Sequence, residues 1–312
     1  MIIDPHVHVL DYGHWPNEWW DFVAADWASK EPGRTPEMVR DRIEAGLVDP
    51  DGSRLIEHMD EAGIDLSVIL PIDWGPDFHA ERSIEEINEH ALVCARRYPK
   101  RLRAFAGIDP RRDHAAERLD RWLSSGDYKG LKLYPNCGFY PDDTRARTLY
   151  EVCLAHDVPV LFHTGDPLPV LSREYGRPKH FWNVVRDFPS LKLILAHAGA
   201  PHEFDEALAV ATASNAAILE MSVWLWDDSN DTAELNTAQM VTRARDQIGI
   251  ERVMFGTDHV SGKRIREPGF LPKVTDMFNR LPETARRIGL SISPEEHDAF
   301  MGGNAARLLK LT

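Results

Sequence analysis

Cysteine is scarce: Cys94, Cys137 and Cys153 are the only three in 312 residues, and no CxxC pair occurs. That excludes a disulfide framework and a cysteine-type zinc site, and it points to a reducing compartment. Positive charge is short as well, with 36 Lys+Arg against 50 Asp+Glu and a formal net charge of −14. Nucleic acid and anionic membrane are therefore disfavoured as partners, while a local basic pocket stays allowed. No apolar run approaches the roughly 18 to 20 residues of a membrane span, and no basic segment followed by an apolar one opens the chain. The expected location is the cytoplasm. Neither GxGxxG nor GxxxxGKS/T follows any apolar run, which removes the simplest Rossmann and P-loop readings. No Ser/Gly-rich or Pro-rich linker divides the chain, so a single domain over residues 1–312 is expected.

What is present is an ordinary globular balance, 43% hydrophobic and 28% charged, with an excess of 14 His and 9 Trp. Eight short apolar runs rich in β-branched residues fall at 2–9, 66–71, 102–108, 130–134, 158–163, 191–197, 217–223 and 252–258. Helical patterns separate them at 53–62, 83–98, 115–124, 143–155, 180–188, 202–213 and 233–248. Strict alternation of eight strands with helices predicts an α/β fold of the (β/α)8 TIM-barrel type. Such a barrel needs roughly 250 residues. The surplus lies after strands one and eight, in residues 10–51 with Trp15, Trp19, Trp20 and Trp27, and in 259–292 with Lys263, Arg264 and Arg266. Both are expected to be ordered caps over one end of the barrel.

The polar residues inside these strands are placed where chemistry happens in such a fold. Asp4-Pro5-His6-Val7-His8 puts two imidazoles at i, i+2, hence on one side of a strand. His163, His197 and Asp258 each stand where an apolar run stops. Taken alone, each has an ordinary explanation: a surface HxH, a packed histidine, an Asp capping a helix. As a set they converge, because the C-terminal ends of barrel strands meet at one mouth, and five donors from four strands fit one metal site.

These residues carry a resemblance. Asp4-x-His6-x-His8, His163, Ala196-His197-Ala198-Gly199, Phe255-Gly256-Thr257-Asp258 and Gly303-Asn304-Ala305-Ala306-Arg307-Leu308 are similar to the amidohydrolase superfamily, in particular its "amidohydrolase 2" branch. That branch includes aminocarboxymuconate-semialdehyde decarboxylase, resorcylate-type decarboxylases and lactone hydrolases. The resemblance implies that His6, His8, His163 and Asp258 hold one divalent metal, with Zn²⁺ as the expected ion. It implies an auxiliary catalytic His197 beside the reacting water and Asp258 as general base. Imidazoles and a carboxylate suit zinc and leave a place for water whose pKa falls to about 7. Other branches of the superfamily bridge two metals with a carboxylated lysine on strand four. Lys132 sits on that strand, but the branch resembled works with one metal, so pairing with an acid or a substrate carboxylate is the expected role.

Further residues are placed to line the mouth: Asp73 and Trp74 after strand two, Arg111 and Arg112 after strand three, Tyr134 at the end of strand four, Trp224 and Trp226 after strand seven, and His259 next to Asp258. Arg111, Lys263 or Arg264 are candidates for binding a carboxylate, with solvated surface charge as the alternative. The tryptophans of 15–27 are either a lid over a planar substrate or the packing of the insertion. Asn304 and Arg307 are expected to anchor the last helix. The expected activity is hydrolysis of a small carboxylated lactone-, ester- or amide-like molecule by metal-activated water. The alternative is non-oxidative decarboxylation of an aromatic or muconate-type acid at the same site. Self-association into a homo-oligomer is left open.

Overall fold

The computed structural model describes residues 1–225, 231–261 and 269–311. Trp226, Lys263, Arg264 and Arg266, named above, lie outside the described residues. Every apolar run forms a parallel strand: β1 (Ile3–His8), β2 (Leu66–Ile69), β3 (Leu102–Gly107), β4 (Tyr128–Leu133), β5 (Val160–His163), β6 (Leu193–Ala196), β7 (Ile218–Glu220), β8 (Val253–Met254) and β9 (His259–Val260). Neighbouring strands follow chain order from β1 to β8, and β9 adds to the free side of β1. The fold is the expected TIM barrel, with one refinement.

That refinement is at the eighth run, whose strand stops early and is followed by a second short one. Within it only β8 is strand and pairs with β7, while β9, just past the end of the run, pairs with β1, so the chain itself joins the two edges of the sheet. Between them Phe255 N leaves the ladder and donates to Phe300 O at 3.0 Å. Asp4 closes the seam by accepting from Thr257 N at 3.1 Å and from the Thr257 hydroxyl at 2.5 Å. The break matters because it carries Asp258.

Alternate residues of the strands, among them Leu66, Val68, Leu70, Leu161 and Ile194, fill the barrel interior together with Ala305, Ala306 and Leu309 of the C-terminal segment. That segment is pinned by Asn304, whose amide donates to Ile250 O at 2.7 Å and Val253 O at 2.9 Å, and by Arg307 on Glu251 O at 2.8 Å. The opposite faces of the strands pack on the surrounding helices in a larger core. Those helices obey local rules: Ile84–Arg97 starts on a capping box between Ser83 and Glu86, and Ser53–Ala62 ends at Gly63 with φ +69°.

The insertion after β1 forms the helices Asn17–Lys30 and Pro36–Leu47. Trp15, Trp19 and Trp20 bury themselves against Val39, Ile43, Ile72 and Trp74, so this cap has a core of its own seated on the loops after β2, β4 and β5. The segment after β9 does more than cap. Phe270–Asn279 packs on Ser53–Ala62, and Leu281–Arg287 on Asp231–Ile248, which places them in the outer ring between the first and seventh barrel helices. Leu271, Val274, Met277 and Phe278 supply the apolar face. No helix among the described residues is long and apolar enough to cross a membrane.

Candidate metal centre

β1 delivers His6 and His8 to the barrel mouth, and the break in the eighth strand delivers Asp258. The Asp258 Oδ1 atom lies 3.2 Å from His6 Nε2 and 2.9 Å from His8 Nε2. Four non-glycine residues at this end of the barrel, His197, Ala198, Val223 and Asp258, adopt φ between +44° and +65°. Such conformations cost about 1–3 kcal/mol each and persist where the surroundings over-determine them, which is the habit of functional sites.

The proton arrangement tests whether a cation fits. His8 Nδ1 donates to Leu70 O at 2.7 Å, and burial pushes this ring's pKa down, so a neutral His8 presents a lone pair at Nε2. That lone pair faces a carboxylate oxygen at 2.9 Å. Two acceptors hold such a distance only around a positive charge. His6 repeats the pattern, with Nδ1 on Glu220 Oε2 at 3.1 Å and Nε2 toward Asp258 and the Lys132 ammonium at 3.3 Å. Burial and Lys132 push the His6 pKa down, but Asp258 and Glu220 outweigh them and raise it. Burial opposes ionisation of Asp258 too, yet His6 and His8 hold its carboxyl well below the usual range. A proton on His6 satisfies this geometry, and so does a divalent cation held by two imidazoles and a carboxylate.

Among the described residues two sets of three donor atoms lie within 4.8 Å of one another: His6, His8 and Asp258, and His6, His197 and Glu220. His163 is in neither set. Its Nδ1 is 3.1 Å from His197 Nε2, while its own Nε2 is buried without a protein partner, the condition of a ligand nitrogen. Burial pushes both of these rings well below the ordinary histidine pKa, so both are neutral. His197, expected beside the reacting water, has both ring nitrogens engaged, Nδ1 by Ser222 Oγ at 2.7 Å and Nε2 by His163.

Glu220 is the residue that sequence reasoning missed. Fully buried at the end of β7, it accepts from Ser222 N at 2.8 Å, the Ser222 hydroxyl at 2.9 Å and His197 N at 3.2 Å, besides His6. The signal was there in Ala217-Ile218-Leu219-Glu220-Met221, since a carboxylate inside an apolar strand must have partners.

A cleft of about 1110 Å³ opens above these groups, lined by His8, Lys132, Tyr134, His163, His197 and Asp258 and by Trp15, Trp19, Trp27 and Trp74. Lys132 is buried in its floor, and burial, against the pull of Asp258 and Glu220, lowers its pKa to about 8. The Tyr134 ring lies between His163, tilted with centroids 4.5 Å apart, and Trp74, edge-to-face at 5.6 Å. Trp224 lines the cleft and donates Nε1–H to His197 O at 2.8 Å, and His259 lines it with Nε2 3.0 Å from His58 Nδ1. Arg111 is not among the residues that line the cleft. It turns away from the cleft into bonds with Asp109 at 2.9 Å, Asp77 and Cys137 O at 2.8 Å, because burying a guanidinium requires such partners. Arg112 is held by Asp73 at 2.7 Å.

The amidohydrolase family model matches residues 3–311, and the chain belongs to that family. A search of curated protein sequences finds no match. Solved structures share the fold at low identity. The 5-carboxyvanillate decarboxylase of Sphingomonas paucimobilis is 18% identical with a TM-score of 0.65, over 100% of this chain and 99% of that one. A probable 2-pyrone-4,6-dicarboxylic acid hydrolase of Acinetobacter baumannii is 14% identical with a TM-score of 0.63, over 99% of each chain. The 5-carboxyvanillate decarboxylase of Novosphingobium aromaticivorans, with bound manganese and a nitrobenzoic acid, is 13% identical with a TM-score of 0.66, over 99% of this chain and 97% of that one.

Proposed function

We propose that this member of the family is a divalent-metal-dependent hydrolase of a small carboxylated lactone, ester or amide. His6, His8, His163 and Asp258 hold the metal. Zn²⁺ is the ion that an imidazole-rich N/O donor set favours, and manganese, bound in one of the similar structures, is the competing ion. When bound, the cation polarises the substrate carbonyl and acidifies a water. Asp258 accepts the proton of the attacking water and returns it to the leaving group. Lys132 pairs with a substrate carboxylate, and Tyr134, Trp74, Trp224 and His259 bound the space around it. The observation that carries this reading is the single Asp258 oxygen within 3.2 Å of His6 Nε2 and 2.9 Å of His8 Nε2 on the floor of the cleft.

The buried Lys132 cation beside the aromatic wall of Trp74 and Tyr134 favours a second reading. In it an aromatic or muconate-type acid loses CO₂ at the same site, as the names of two of the similar structures describe for theirs. One experiment separates the two: proton release on a lactone and ester panel is set against CO₂ release from aromatic acids. Turnover of the lactones with no CO₂ from the acids supports hydrolysis; the converse overturns it in favour of decarboxylation.

A further inference from the structure

We infer that Glu220, Ser222 and His197 form a relay that fixes which nitrogen of His163 carries the proton, and so leaves the buried His163 Nε2 as a lone pair. The three are positioning residues, and the purpose of the relay rests on the metal reading above. The direction of every bond follows from one end. Glu220 receives a backbone N–H on each of its oxygens, Ser222 N on Oε1 and His197 N on Oε2, and these donors cannot reverse. Its carboxylate is therefore the acceptor for the Ser222 hydroxyl at 2.9 Å.

A hydroxyl has one proton. Having given it to Glu220, Ser222 Oγ accepts from His197 Nδ1 at 2.7 Å. His197 Nδ1–H is thereby committed to Ser222. Among the described residues no acceptor faces His163 Nε2, so a proton there would be buried and orphaned, whereas on His163 Nδ1 it meets His197 Nε2 as its acceptor. At 3.1 Å from that Nε2, His163 Nδ1 must be the donor, which leaves the buried, unpartnered His163 Nε2 as a lone pair. His6 is set by the same carboxylate, since its Nδ1 lies 3.1 Å from Glu220 Oε2 and its Nε2 faces Asp258. One buried Glu thus orients two imidazoles, one directly and one through two intermediaries. Trp224 supports the chain by donating to the His197 carbonyl, which holds the ring in line. The sequence shows two of the three members in Leu219-Glu220-Met221-Ser222, at i, i+2 where a strand passes into a turn.

The test is a long-range ¹H–¹⁵N spectrum of protein labelled with ¹⁵N at histidine, recorded metal-free and after adding Zn²⁺, with His163→Gln identifying the resonances. The relay predicts a protonated Nδ1 and an unprotonated Nε2 on His163 before any metal is added. Ser222→Ala is expected to mix the two tautomers of His163 and to weaken Zn²⁺ binding about 10- to 100-fold, and Ser222→Thr, which keeps the hydroxyl, to restore both. The wild-type spectrum decides even where a variant fails to fold: a proton on His163 Nε2 overturns the relay. So does a folded Ser222→Ala protein with an unchanged tautomer and unchanged Zn²⁺ affinity. Protein that shows the predicted tautomer and binds no Zn²⁺ supports the relay and overturns the metal reading.

Discussion

Replacing Gly256 by alanine asks how tightly the site is built around Glu220. A Cβ on Gly256 falls 1.9 Å from Glu220 Oε1 and 2.6 Å from its carboxyl carbon. Carbon and oxygen approach to roughly 3.3–3.6 Å at closest, so the carboxylate must retreat by about 1.5 Å. That is enough to break its 2.8 Å bond from Ser222 N and to strain those from His6, Ser222 and His197. Overpacking costs about 1–3 kcal/mol and an orphaned buried donor about as much, so a loss of about 3 kcal/mol is expected. Thermal unfolding then falls by roughly 5 °C in a chain of this size. Metal affinity, measured by competition with a chromophoric chelator, is expected to weaken about 10- to 100-fold because Glu220 orients His6. The double variant Gly256→Ala, Glu220→Ala removes the clash together with its target, and its loss is expected to fall short of the sum of the two single losses. Wild-type metal affinity in Gly256→Ala, or full additivity in the double variant, would refute the reasoning.

Three other outcomes follow from the geometry. Lys132→Met is expected to weaken binding of a simple carboxylate such as benzoate about tenfold or more in calorimetry, and unchanged binding contradicts a role in holding the substrate. Chelation of the metal is expected to lower the unfolding midpoint through a loss of about 4 kcal/mol of stability if the free ion stands at a thousandfold its Kd, and equal midpoints with and without chelator contradict a resident ion. Burial, with His90 alongside, pushes His14 down from 6.5 to about 4. Between those values the unfolded chain binds a proton that the folded one refuses, so stability falls as pH drops from about 6.5 to 4, by at most about 3 kcal/mol, with no further loss below. His14→Asn keeps a side-chain acceptor for Asp11 N. Urea unfolding across this range is expected to show a shallower slope in that variant, and equal slopes contradict the assignment.

Much of the site was legible in the sequence because strands have a period of two and barrel strands end at one mouth. His6, His8 and Asp258 are brought together on those grounds alone. The early stop of the eighth strand was not legible, because Phe255–Asp258 reads as a continuation of an apolar strand and its break depends on Asp4 and Phe300, far away in the chain. Nor was the double duty of 270–287, whose apolar face was absorbed into an expected cap. Glu220 was less legible because a lone carboxylate inside an apolar strand shows only that partners exist, and His6, Ser222 and His197 come to it from elsewhere in the fold or from the following turn. The partners of Arg111 were not legible either. A strand-end arginine looks available for substrate until its partners Asp77 and Asp109, placed by other loops, claim it.

The central claim is that a divalent cation sits between His6, His8 and Asp258, and anomalous scattering measured on crystals at the metal's absorption edge tests it most directly. The account predicts one peak within bonding distance of His6 Nε2, His8 Nε2 and an Asp258 carboxylate oxygen, lost in His8→Ala. Absence of any peak there after soaking with Zn²⁺ or Mn²⁺, or a peak that survives unchanged in His8→Ala, would contradict it.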